Sequence, residues 1–181
     1  MNIFYLHKNP AVAAKMHCDK HVVKMILETA QLLCTAHHET GTGTKAMYKP
    51  THKNHPTAKW VRESSSHYSW AYNLLIALLN EYHHRRGRSH KTVEQLPHLI
   101  YNPRNVPSKG FKPPPQCMPD QYKGEDTVEA YRAYYIGDKV RIAEWKWGRP
   151  APDWFELAKS RDRGLTRSSQ SGIIGERWKN A

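Results

Sequence analysis

From Asp19 to Cys34 the chain reads DKHVVKMILETAQLLC, and its polar and apolar positions separate when placed at about 100° steps round a helix axis. Val22, Val23, Ile26, Leu27, Ala30, Leu33 and Cys34 are assigned to one side, and Met25, Thr29 and Leu32 carry the apolar surface round the back. Lys20, His21, Lys24, Glu28 and Gln31 form the remaining polar stripe. A helix apolar over most of its girth belongs inside a domain, where lysine or glutamate is rare unless paired or employed. The pattern predicts a core helix whose stripe faces a cleft, and that stripe is the first candidate active site.

The rest of the pattern is also helical. Ile3 to Leu6 reads as a short strand or an extended, buried arm, and Asn9-Pro10 as a helix start with proline at its first position. Asp19 is placed to cap the stripe helix, which frays near His38 ahead of Gly41 and Gly43. After a loop over 40–54, Asn54-His55-Pro56 opens a helix carrying Trp60 and Val61, and Ser64 to Ser66 kink it or cap a new one. Trp70, Leu74, Leu75, Leu78, Leu79 and Tyr82 then follow helical spacing up to a basic end with Gly87 as its stop. Another short helix is expected over 92–96. The proline-rich stretch 101–124 lacks periodicity and reads as a long loop that wraps the surface or forms part of a binding site. A last helix is expected from near Asp126 to Trp145 with an irregularity at Gly137, followed by aromatic packing of Trp145, Trp147, Trp154 and Phe155 onto the body.

The fold expected is therefore mainly α: a compact helical single domain, with a short N-terminal extended arm and a long Pro-rich loop. The domain is set at 1–159 and a basic tail at 160–181. The 181 residues are enough to bury a core without staples.

Charge narrows the function. Lys and Arg number 28 against 16 acids, a formal net charge of +12, which favours a polyanionic partner, DNA above all. No apolar run approaches the roughly 20 residues that span a bilayer, so no membrane is expected. Cys18, Cys34 and Cys117 are odd in number and far apart, which points to a reducing, cytoplasmic setting and away from a disulfide framework.

Among the first 62 residues only Asp19, Glu28 and Glu39 are acidic, and of these Glu28 alone stands among cations on a strongly patterned helix. Lys24 favours its ionised form, while burial opposes it. Lys20 and Lys24 repel each other, which tends to free one amine as a nucleophile. An amine beside a carboxylate suits imine chemistry at a sugar C1′; the same residues equally make a solvated i,i+4 salt bridge. His17, Cys18 and His21 would need third and fourth ligands from elsewhere, His52 or His55, to make a zinc site; no metal and no cofactor is expected. Asn54, His55, Lys59, Trp60, Arg62, Ser64 and Ser65 gather donors and an aromatic at a helix N-terminus that can hold phosphate. Arg85, Arg86 and Arg88 offer a second phosphate contact. Tyr131, Tyr134 and Tyr135 read as base-stacking or core residues.

The spacing Lys20-x3-Lys24-x3-Glu28 after an N-terminal arm, the segment Asn54-His55-Pro56 followed by Trp60, and the run Tyr131 to Gly137 together resemble the pyrimidine-dimer DNA glycosylase (bacteriophage endonuclease V-like) family. The likeness covers roughly residues 1–90, with an echo at 131–137. It implies an all-helical domain that binds duplex DNA and cleaves a glycosidic bond, with a terminal α-amine forming an imine and a glutamate, here Glu28, assisting. The family exposes a threonine amine once the initiator methionine is removed; here Asn2 follows Met1 and tends to retain it. The nucleophile is thus left among Met1, Asn2, Lys20 and Lys24, with His21 and Gln31 orienting substrate.

The function expected is a DNA glycosylase with associated lyase activity on damaged or modified pyrimidines, viral in type and acting in the host cytoplasm. The alternatives are a non-enzymatic DNA-binding protein and a small-molecule enzyme acting on nucleotides.

Overall fold

The computed structural model describes residues 2–161; the expected basic tail lies almost wholly outside them, as does Met1. The fold is mainly α, with no strand among the described residues. The chain forms two compact units, Met1–Pro150 and Ala151–Ala181. In the second, residues 153–161 are helical, Trp154 meets Phe155 edge-on, and the Lys159 ammonium lies 4.7 Å from the centre of the Phe155 ring.

In the first unit, helix α1 (Pro10–Met16) starts with Pro10 at its first position, and the Asn9 side chain accepts from the Ala11 and Val12 amides. Helix α2 (Asp19–Glu39) is the expected stripe helix, but its N-cap is Cys18. The Asp19 carboxylate is engaged elsewhere, in an ion pair with Arg85. Helix α3 (Pro56–Glu63) is capped by His55, whose Nδ1 accepts from the Thr57 amide. Ser64 caps helix α4 (Ser65–Arg86), which ends at Gly87 with φ 65°, a left-handed position that suits glycine. A 3-10 turn at Lys91–Gln95 leads into the short helix α5 (Leu96–Leu99).

Helix α4 packs along α1 and α2, and α3 rests on both α2 and α4. Leu32 and Leu33 of α2 and Leu74, Leu75 and Leu78 of α4 are completely buried in this core. Ile3, Phe4, Tyr5 and Leu6, each at most 5% exposed, thread into the body as an extended arm rather than a strand.

Three expectations are corrected. Val23 and Leu27 are 36% and 42% exposed, because they lie three and seven positions from Lys20 and so share its outward face. The helix expected from near Asp126, α6 (Thr127–Asp138), stops at Asp138 instead of running to Trp145. Beyond it the chain turns back, and the Glu144 carbonyl accepts from the Asp19 amide while the Lys146 amide donates to the Asp19 carboxylate. Gly137 is not the break: it lies within α6, where a Cβ would collide with the Tyr122 ring.

The proline-rich loop wraps the α3–α4 junction. Pro107 and Gly110 accept through their carbonyls from the Ser65 amide and the Ser64 hydroxyl, and the Lys112 amide donates to His67 Nε2. Among the described residues no helix is long and apolar enough to cross a membrane.

Candidate active site

Asn2 ties Glu28 to two distant parts of the chain, around Cys117 and Tyr131. Glu28 Oε2 accepts the backbone N–H of Asn2 at 3.2 Å, and Glu28 Oε1 lies 3.5 Å from Lys24 Nζ. The Glu28 side chain is 16% exposed and that of Lys24 is 67% exposed, so the pair sits at the surface with the carboxylate on its inner side. The Asn2 side chain is clamped at both ends: Nδ2 donates to the Cys117 carbonyl at 2.9 Å, and Oδ1 lies 2.8 Å from the Tyr131 hydroxyl. That hydroxyl is also 2.7 Å from the Pro115 carbonyl, so one proton serves two acceptors. Cys117 Sγ lies 3.5 Å from Thr57 Oγ1, which joins the N-terminus of α3 to the same cluster. His55 at that terminus has a pKa lowered chiefly by burial, with nearby positive charges, His52 among them, acting the same way and the Glu28 carboxylate the other.

Of the stripe, Lys20, Lys24 and Gln31 reach solvent, with Val23 and Leu27 exposed among them. His21 does not. It is 4% exposed, stacks on Phe4 at 4.4 Å between ring centres, and its Nδ1 lies 2.5 Å from the Tyr135 hydroxyl. Burial above all, then the charges of His17, Lys139 and Lys24, push its pKa down to about 3. His21 is therefore a neutral core residue and not an orienting group in a cleft. His17 is likewise buried, down to about 4 chiefly by desolvation, although its Nδ1 is 2.7 Å from the Ala13 carbonyl. Tyr135 closes this cluster, accepting from the Cys18 amide, with its own pKa raised well above the usual value by burial.

The candidate phosphate-binding residues divide. Asn54 and Lys59 are exposed beside the half-buried His55. Trp60 is 4% exposed, donates from Nε1 to the Lys112 carbonyl and stacks on His67 at 4.5 Å, so it is a core residue unable to stack on a base. Ser64 is buried as the α4 cap, and its hydroxyl also bridges to the proline-rich loop. The Ser65 backbone joins the same seam. Arg62 donates to the Ala58 and Lys53 carbonyls, tying α3 to the loop before it.

Arg85 is not a phosphate contact. Its side chain is wholly buried and donates to Asp19, Glu81 and the carbonyls of His17 and Lys15. Glu81 is shared with Arg149, and these two guanidinium groups outweigh its burial and lower its pKa. A buried guanidinium with its donors filled by fixed oxygens belongs to the fold. Arg86 and Arg88 remain exposed, Arg86 stacking over Trp147 at 4.0 Å.

Sequence reasoning missed Cys117, Thr57 and the clamping role of Tyr131. Their only signal was the suggestion that the proline-rich loop joins a binding site. Two open cavities lie elsewhere, one of about 520 Å³ beside the C-terminal end of α2 and one of about 200 Å³ beside α4. Among the described residues no group of three or more His, Cys, Asp or Glu side chains is placed to hold a metal. No family model, curated protein or solved structure matches the chain.

Proposed function

We propose that the protein is a DNA glycosylase with associated lyase activity, centred on Glu28. The observation that supports this reading is the backbone nitrogen of Asn2 held 3.2 Å from a carboxylate at the surface of a chain with a formal net charge of +12. While Met1 is present this nitrogen is a peptide amide, so the group that attacks a sugar C1′ is the Asn2 amine once Met1 is removed, or else the Met1 amine. The base departs, an imine forms, and Glu28 moves protons or stabilises positive charge on the sugar. Lys24, at 3.5 Å, is the alternative amine. Lys20, Val23 and Leu27 lie on the same outward face, giving charge for phosphate and apolar surface for a sugar or base edge.

Incubation with abasic or dimer-containing duplex in the presence of borohydride tests the reading. Intact-mass measurement before and after should show a covalent adduct and identify the free amine, and Glu28→Gln should lower adduct formation by about a hundredfold or more. Absence of both adduct and strand cleavage would overturn the reading. A second reading, a DNA-binding protein without chemistry, is favoured by the exposure of Lys24. On that reading Glu28→Gln leaves binding unchanged or tighter, and no substrate is cut.

A further inference from the structure

The cavity of about 520 Å³ beside the end of α2 has fixed walls and a distinctive chemistry. One wall is the α2 C-terminus with the loop after it, and the other is the segment from His98 to Arg104. Hydrogen bonds lock them together. The Tyr68 hydroxyl donates to the Leu99 carbonyl at 2.9 Å and lies 2.8 Å from His37 Nε2. His37 Nδ1 in turn meets Thr42 Oγ1 at 2.9 Å, and Asn105 Nδ2 donates to the Thr40 carbonyl at 2.8 Å. With both ring nitrogens engaged, His37 is wall rather than ligand contact. Met47 gives the cavity an apolar patch, 8% exposed.

No carboxylate lines this space, whereas Arg104, His98 and Asn102 all do. Tyr101 at its edge is 78% exposed, a large aromatic ring left in water. A site that combines a guanidinium, an imidazole and a free aromatic face, and excludes acids, selects an anion attached to a flat ring. The volume falls within the range that holds a small molecule of nucleotide size.

We propose that this cavity binds a nucleoside monophosphate unit, with phosphate at Arg104 and His98 and the base on Tyr101, either as a free nucleotide or as an unpaired unit of a single strand. The site is separate from Glu28 and does not depend on the activity proposed there.

Calorimetric titration of the full-length protein with dTMP, dAMP and a short single-stranded oligonucleotide tests it. Saturable binding of a mononucleotide identifies the free ligand, and saturation by the strand alone identifies the unpaired unit. In either case Tyr101→Ala and Arg104→Glu should each weaken binding by about tenfold or more, with thermal unfolding unchanged. Glu28→Gln should bind as the unsubstituted chain does, and borohydride trapping should be unaffected by the two cavity substitutions. Absence of saturable binding by all three probes, or binding that both cavity substitutions leave intact, would overturn the proposal.

Discussion

The Tyr131 hydroxyl lies 2.8 Å from Oδ1 of Asn2, a residue 129 positions earlier in the chain. Helix α6 thereby holds the tip of the N-terminal arm, and the arm tip in turn meets Glu28 of α2. Three elements with no local relation to one another define the position of a single backbone nitrogen.

Tyr131→Phe removes that hold while keeping the ring. Loss of the hydroxyl leaves the Asn2 and Pro115 oxygens short of a donor, at a cost of about 1–3 kcal/mol. The variant should fold with a lower urea midpoint and form the borohydride adduct about tenfold more slowly, with DNA affinity unchanged. An unaltered trapping rate in a folded variant would show that the clamp does not position the amine.

Arg85 and Arg88 should behave in opposite ways. Arg85→Ala removes the ion-pair partner of the buried Asp19 carboxylate and leaves Glu81 with Arg149 alone, and should cost about 3–5 kcal/mol in denaturant unfolding. Arg88→Ala, at an exposed position, should change stability by less than about 0.5 kcal/mol. A stable Arg85→Ala protein with weakened DNA binding would reverse this assignment.

Acid should destabilise the fold through His17 and His21. Both are held neutral, at about 4 and about 3, below the ordinary 6.5. Above pH 6.5 both folded and unfolded states carry neutral rings, so stability is unaffected. As pH falls from 6.5 the unfolded chain takes up protons that the folded chain refuses, and stability drops until the folded pKa values are passed. The loss should be on the order of a few kcal/mol for each residue. Denaturant melts between pH 7.5 and 4.5 should show the decline, and His21→Gln should make it shallower even if its stability at pH 7.5 is lower.

Lys20 and Lys24 are the exposed cations of the stripe. Lys20→Ala and Lys24→Ala should each reduce the slope of log K against log salt by about 0.9 if each neutralises one duplex phosphate. A slope unchanged in the double variant would place the DNA on another face.

The helices were legible in the chain because capping and apolar spacing are local. Asn9-Pro10, Ser64 and Gly87 mark boundaries through their own backbone geometry, and the leucines of α2 and α4 repeat at the helical period. The alignment of Lys20, Lys24 and Glu28 on α2 follows from the same period. What a neighbour does to a side chain is not periodic. His21 belongs by spacing with the polar residues, yet Phe4 and Tyr135 cover it; Val23 and Leu27 look like core, yet among the described residues no element buries them. Arg85 reads as a basic surface residue until Asp19 and the returning strap around Lys146 enclose its end of α4.

By itself the amino-acid order determined an all-helical body, several of its helix starts and stops, and a carboxylate with two lysines on one helix, since these depend on contacts within a few residues. Tertiary structure alone decided that Cys117 and Tyr131 hold the Asn2 side chain while its backbone N–H meets Glu28, because hydrogen bonds between residues so far apart in the chain exist only once the core has brought their elements together.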